Sequence, residues 1–101
     1  MAKGYWIALV EVKNQDGYKN DYVAGLPDVL RKFGGRYVTR GGRTELVEGT
    51  AKSRSVILEF PSYEAALACY RSPEYAKLMA ARKANAAADL IVVEGYDGPQ
   101  P

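Results

Sequence analysis

The amino-acid sequence predicts an α+β fold, an antiparallel sheet carrying its helices on one face. Three observations predict it. Short β-rich runs alternate with longer stretches of helical spacing. The signals between them are local turns and caps rather than linkers. The chain has 101 residues, 48% of them hydrophobic, which fits one domain rather than two.

Residues 5–12 (YWIALVEV) are apolar, aromatic and β-branched, and the turn-prone Asn14-Gln15-Asp16-Gly17 follows them, which marks a first strand. Tyr18, Tyr22, Leu26, Val29 or Leu30, and Phe33 then recur at helical spacing with charges between them. Asp16 is placed to cap this helix, and Gly34-Gly35 supplies the positive φ that ends it. Pro27 lies inside the pattern and should kink the helix or split it. Residues 36–40 (RYVTR) and 43–48 (RTELVE) flank Gly41-Gly42, a strong signal for a hairpin closed by a two-residue turn. Residues 49–54 read as a loop, and residues 55–60 (SVILEF) as another apolar strand stopped by Pro61. Ser62 caps a helix running through Tyr63, Ala66, Leu67 and Tyr70. Ser72-Pro73-Glu74 restarts it with a cap, a proline at the first helical position and an acid in the first turn. Tyr75, Leu78, Met79 and Arg82 keep i, i+3, i+4, i+7 spacing, and the alanine-rich residues 84–88 extend the helix by propensity. Residues 89–96 (DLIVVEGY) form the last strand. One domain is expected over residues 1–97, with residues 98–101 as a tail.

The five strand-like runs and two helical stretches come closest to the order strand, helix, strand, strand, helix, strand, the split βαβ, or ferredoxin-like, arrangement, βαββαβ, with one run beyond its four strands. Its helices cover one face of the sheet, yet the strands are apolar on both. Trp6, Ala8, Val10 and Val12 point one way, and Tyr5, Ile7, Leu9 and Glu11 the other. Ile57 lies opposite Val56, Leu58 and Phe60, and Ile91 and Val93 lie opposite Leu90 and Val92. Such a sheet needs a second cover. Two helical segments supply only one, so a second copy packed sheet to sheet in a two-fold dimer is expected.

The composition excludes much chemistry. With no histidine there is no imidazole base, no histidine-ligated haem and no His-containing zinc site. Cys69 is the only cysteine, which rules out an internal disulfide and a CxxC pair. No phosphate-binding glycine loop, nucleophile elbow or metal-ligand spacing occurs, so neither a cofactor nor a metal is called for. A formal net charge of +2 is too small for a general polyanion binder. Between Arg31 and Arg54, however, seven basic residues stand against two acids, Glu45 and Glu48, a local balance of +5. Such a segment can attract nucleic acid or a small anion, or simply form a solvated hairpin. Residues 43–48, taken as the third strand, carry no aromatic and two acids, which argues against an RNA-recognition motif. No apolar run approaches the roughly 18 residues of a membrane span. The N-terminal Met1-Ala2-Lys3-Gly4 runs into the first strand without the features of a signal peptide. A soluble cytoplasmic protein is the expectation.

Candidate site residues follow from the hairpin and the tyrosines. In an unbulged hairpin Arg40 faces Arg43, Val38 faces Glu45 and Arg36 faces Val47, all on one side of the sheet. Arg36, Arg40, Arg43 and Glu45 then form a charged cluster, either an anion clamp at a pocket mouth or an Arg–Glu pair that fixes register or a dimer contact. Of eight tyrosines, Tyr22, Tyr37 and Tyr75 are placed to line a cavity between helices and sheet and to hydrogen-bond an oxygenated or aromatic molecule; the alternative is ordinary packing. Glu11, Glu59 and Glu94 lie within apolar strands and either act as buried bases or pair with arginines such as Arg71 and Arg82. Cys69 reads as a small hydrophobe on its helix.

Gly4-Tyr5-Trp6-Ile7-Ala8, Arg40-Gly41-Gly42, Glu59-Phe60-Pro61-Ser62, Tyr70-Arg71-Ser72-Pro73-Glu74-Tyr75 and the terminal Asp89-Leu90-Ile91-Val92-Val93-Glu94-Gly95 together resemble the bacterial proteins of domain of unknown function 1330. The resemblance implies the dimeric α+β barrel superfamily, in which two ferredoxin-like protomers face their sheets together. Relatives there include cofactor-free monooxygenases that use Trp, Asn and Tyr, but neither Trp6 nor Asn14 falls on a matching motif. The resemblance therefore implies a fold and a homodimer, with a small-molecule ligand or a cofactor-independent oxygenase- or isomerase-like reaction as expectations.

Overall fold

The structure, a computed structural model, describes residues 2–101. Four strands form one sheet: β1 (Gly4–Val12), β2 (Arg36–Arg40), β3 (Arg54–Phe60) and β4 (Ala86–Glu94), in the order β2-β3-β1-β4. Every neighbouring pair is antiparallel. The first crossover contains α1 (Gln15–Gly17), a π-helical segment (Tyr18–Val23) and α2 (Leu26–Lys32); the second contains α3 (Tyr63–Tyr70) and α4 (Pro73–Asn85). This is the ferredoxin-like α+β arrangement.

Local chemistry accounts for most element ends. Ser62 and Ser72 accept hydrogen bonds from Ala65 N and Tyr75 N at the starts of α3 and α4. Pro27 splits the first helical stretch by standing in the first turn of α2, where its missing N–H costs nothing. Gly34 takes φ +74° after α2. The first cap is Asn14 and not Asp16: the Asn14 carboxamide oxygen accepts from Gly17 N at 3.1 Å, while Asp16 lies inside α1.

Three expectations about the strands are corrected. Residues 43–48 form no strand; the partner of β2 is β3, with Arg36 opposite Glu59 and Arg40 opposite Val56. Val56, Leu58 and Phe60 bury large apolar groups beside β1, whereas residues 43–48 offer only Leu46 and Val47 among charges, so burial selects the later segment. Residues 41–53 are a long connection, closed by Gly41 N donating to Ser55 O at 2.9 Å. The alanine run also divides differently. The α4 helix stops at Asn85, and Ala86, Ala87 and Ala88 pair with Val12, Glu11 and Val10. Helix propensity loses because the end of β1 would otherwise lack backbone partners. The Asn85 carbonyl fixes the switch by accepting from Lys13 N and Asn14 N.

The third correction concerns which way the β2 side chains point. A bulge lies between Tyr37 and Thr39, so Tyr37 pairs with Leu58, Thr39 with Ile57 and Arg40 with Val56. One extra residue reverses the alternation. Arg36 therefore lies on the open face and Arg40 on the helix-covered face, although four residues separate them.

The core lies between sheet and helices. Trp6 is 1% exposed, its ring meets Phe60, Tyr70 and Tyr75, and its Nε1 donates to Ala66 O at 2.8 Å. Cys69 is fully buried there, as expected of a small hydrophobe, and burial pushes its thiol pKa up to about 12. The opposite face carries no helix among the described residues, and only the 41–53 connection reaches it, near Leu9. Tyr5, Ile7 and Leu9 of β1 are partly exposed, and Ile91 is 57% and Val93 38% exposed on β4. The register aligns Ile57, Ile7 and Ile91 in one row across three strands.

Candidate functional site

One cavity opens between the covered face and the first crossover. It leaves a free volume of about 30 Å³ and opens to the surface. Its apolar floor includes Trp6, Val10 and Leu58. Its polar wall consists of Tyr18, Tyr22, Tyr37, Arg40, Arg54 and Arg82. No Asp, Glu, Cys or Lys lines it.

Each element delivers its side chain for a legible reason. The β2 bulge turns Tyr37 and Arg40 inward, and the Arg40 guanidinium stacks on the Tyr37 ring at 4.3 Å, a cation–π contact. Arg54 begins β3 in phase with Val56, Leu58 and Phe60, so it too points under the helices. Its guanidinium lies between the Tyr18 ring, 5.7 Å away, and the backbone of Gly41. Gly41 has φ +64°, which favours glycine, and a Cβ there would push the Arg54 guanidinium aside. Arg82 comes from α4 and is 5% exposed.

The electrostatics of this wall are one-sided. Burial works against the Arg82 charge, but the Tyr75 hydroxyl beside it, with Tyr22 and Tyr70 behind, holds the guanidinium pKa above its ordinary value. Tyr22 and Tyr75 share a hydrogen bond at 2.8 Å between their hydroxyls, and burial raises both pKa values, so both remain neutral. Burial also raises the Tyr37 pKa, against the opposing pull of Arg40 and Arg54. Three polar atoms of the wall are buried without a hydrogen-bond partner among the described residues: Tyr37 Oη, Arg54 Nε and Arg82 Nε.

The residues singled out in the sequence divide into three groups. Tyr22, Tyr37 and Arg40 come together in the cavity wall. Tyr75 is fully buried behind the wall, against the Tyr22 hydroxyl, Arg82 and the Trp6 ring. Arg36, Arg43 and Glu45 lie elsewhere. Arg36 pairs with Glu59 at 3.2 Å on the open face, where Tyr5 Oη also donates to Glu59. Arg43 and Glu45 are exposed on the 41–53 connection, so the expected facing of Arg40 and Arg43 does not occur. The bulge and the change of partner strand dismantle that four-residue cluster.

Arg82, which is buried, and Arg54, which is half-buried, were not among the candidates. Both had a signal: each is a charge standing in phase on an apolar stripe, Arg54 at period two with Val56 and Leu58, Arg82 at helical spacing with Tyr75 and Leu78. Among the described residues no group of three or more His, Cys, Asp or Glu could hold a metal ion, and no helix is long and apolar enough to cross a membrane.

Solved structures share this architecture. The RPA0582 protein of unknown function from Rhodopseudomonas palustris, a structural genomics target, matches with a TM-score of 0.76 at 20% identity, over 96% of this chain and 85% of its own. The methylated RPA0582 protein gives 0.77 at 19% identity, over 98% and 84%. At such identities the likeness is one of fold. No curated protein matches the sequence. The family model for domain of unknown function DUF1330, by contrast, matches residues 3–96, and the chain belongs to that family.

Proposed function

We propose that this protein is a homodimeric α+β barrel whose protomers each bind a small apolar or aromatic molecule in the cavity between sheet and helices. The cavity carries the reading: an apolar floor, a tyrosine-rich wall and a mouth at Tyr37 and Arg40 suit a small molecule with a flat or greasy body. Binding without a reaction is favoured over cofactor-independent oxygenase- or isomerase-like chemistry, because no carboxylate, thiol or imidazole stands in the wall to act as a base. The basic segment gives little support to nucleic-acid binding. Arg31 pairs with Asp28, Lys32 with Glu74, Arg36 with Glu59 and Lys52 with Asp89, while Arg40 and Arg54 stack on tyrosines.

The sheet supports the dimer. Its open face presents Ile7, Ile57 and Ile91 in one row, and the molecule is only 17 Å thick along its shortest axis. A second copy of the same face is the simplest cover. Light scattering should give about 22 kDa, twice the chain's 11.1 kDa, and Ile91→Lys should halve it. A wild-type mass of one chain at micromolar concentration refutes the dimer.

Trp6 is the only tryptophan and forms part of the cavity floor, so its emission reports occupancy. Titration with small aromatics such as benzamide and indole should shift that emission saturably. Unchanged emission across the series, together with a bare-chain mass in native mass spectrometry, overturns the binding reading.

A further inference from the structure

We infer that the ligand of this cavity is a monocarboxylate, its two oxygens held by Arg54, Arg82 and the Tyr37 hydroxyl and its apolar body directed to the mouth. This rests on the cavity being a binding site and specifies what enters it. Three guanidinium groups share one wall, Arg82 buried, Arg54 half-buried and Arg40 exposed at its rim, and no acid among the described residues lines the wall to balance them. Elsewhere cations that lie against the fold meet carboxylates in places, as at Arg36–Glu59 and Lys52–Asp89, and the others are solvated. A charge withdrawn from water without a counter-charge is strongly unfavourable, so an unbalanced wall is a site awaiting an anion.

The orphaned atoms give the anion its shape. Arg54 Nε, Arg82 Nε and Tyr37 Oη are donors, and each is buried without an acceptor. Guanidinium groups bind a carboxylate through paired N–H donors, and a neutral tyrosine adds an O–H donor. The cavity's free volume of about 30 Å³ holds about two water molecules, a space that a planar two-oxygen head fills. The same wall sets selectivity. Lacking any acid, it offers an ammonium group nothing, so simple carboxylic acids are preferred over amino acids and amines.

Benzoate, benzamide, phenylalanine and inorganic phosphate discriminate the possibilities, with calorimetry and Trp6 emission as readouts on the whole protein. Benzoate should bind at least tenfold more tightly than benzamide or phenylalanine. Arg54→Met and Arg82→Met should each abolish that tenfold preference while leaving benzamide affinity within a factor of two. Arg43→Met, a change on the exposed connection, should leave the preference intact. Arg54 lies at a strand end, so its variant keeps the test alive if Arg82→Met does not fold. Benzamide binding as tightly as benzoate overturns the carboxylate inference and leaves the cavity reading standing. Phosphate displacing benzoate at lower concentration than benzoate itself requires also overturns it. If none of the four binds, both readings fall.

Discussion

The two faces of the sheet solve the placement of charge in opposite ways. On the open face, apolar residues remain partly exposed while the charges beside them are paired: Arg36 with Glu59, Lys52 with Asp89. On the covered face, Trp6, Val10, Leu58 and Phe60 are buried almost completely, yet Arg82 is buried with them and Arg54 half-buried at their edge, and neither meets a carboxylate among the described residues. A stability-driven arrangement would place unpaired cations in water and apolar groups inside. The open face departs from that in its apolar row, the covered face in its cations, and each departure names what is missing: a second apolar surface on one side and an anion on the other.

The largest effect should come from the packed part of the covered face. Trp6→Ala removes a fully buried ring and leaves the Ala66 carbonyl without its donor, so it should cost about 3–5 kcal/mol. Tyr5→Ala, one residue away on the open face, should cost roughly 1 kcal/mol, since it loses a part-buried hydrogen bond to Glu59. Urea denaturation of both variants measures the difference. Equal losses would mean that the open face is as fully covered in solution as the helix side.

The opposite sign is expected at Arg82. Even a buried ion pair is often replaced by apolar side chains at no loss or at a gain of about 1–4 kcal/mol, and a buried cation without a carboxylate has less attraction to lose. Arg82→Met should therefore raise the unfolding midpoint of the ligand-free protein, because Tyr75 keeps its hydrogen bond to Tyr22. Arg36→Met on the open face should change stability by less than about 1 kcal/mol, as for an exposed pair. A stability loss in Arg82→Met as large as that of Trp6→Ala would make the arginine structural and would remove the contrast between the faces.

How much of this was legible in the sequence depends on the range of the interaction that decides it. The caps at Ser62 and Ser72 and the break at Pro27 are local, and the residues state them directly. The two-faced character of β1 and β3 is also local, because period-two alternation needs no knowledge of partners. The hairpin misled for a specific reason. Gly41-Gly42 does provide the positive φ, but the choice of partner strand is made by burial against β1, and RTELVE cannot compete there with SVILEF. The bulge at Val38 is less legible still: no residue in RYVTR announces it, and a single inserted residue moved Arg40 from one face to the other. The site depends on that inversion. Tyr22, Tyr37 and Arg40 could be singled out by type, but their meeting with Arg54 and Arg82 is a product of long-range register.

The smallest effect tests how dry the covered face is. Cys69, Tyr22 and Tyr75 all hold their protons above their ordinary pKa values because burial penalises the charged forms. Unfolded, the thiol ionises near pH 9 and the phenols near pH 10. The native state thus binds more protons than the unfolded state in alkali, and stability must fall as pH rises. The sign is the reverse of the familiar acid case: the contribution is complete below pH 9 and is lost progressively above it. Each group adds a slope of up to about 1.4 kcal/mol per pH unit once its unfolded form is ionised. Between pH 9 and pH 10 the thiol dominates, so Cys69→Ala should flatten the wild-type decline there by roughly 1 kcal/mol. Tyr22→Phe should act only above pH 10. Denaturation midpoints at pH 8, 9, 10 and 11 separate the two. A Cys69→Ala profile parallel to wild type would mean that water reaches the thiol, and with it the layer of α3 that Trp6 packs against.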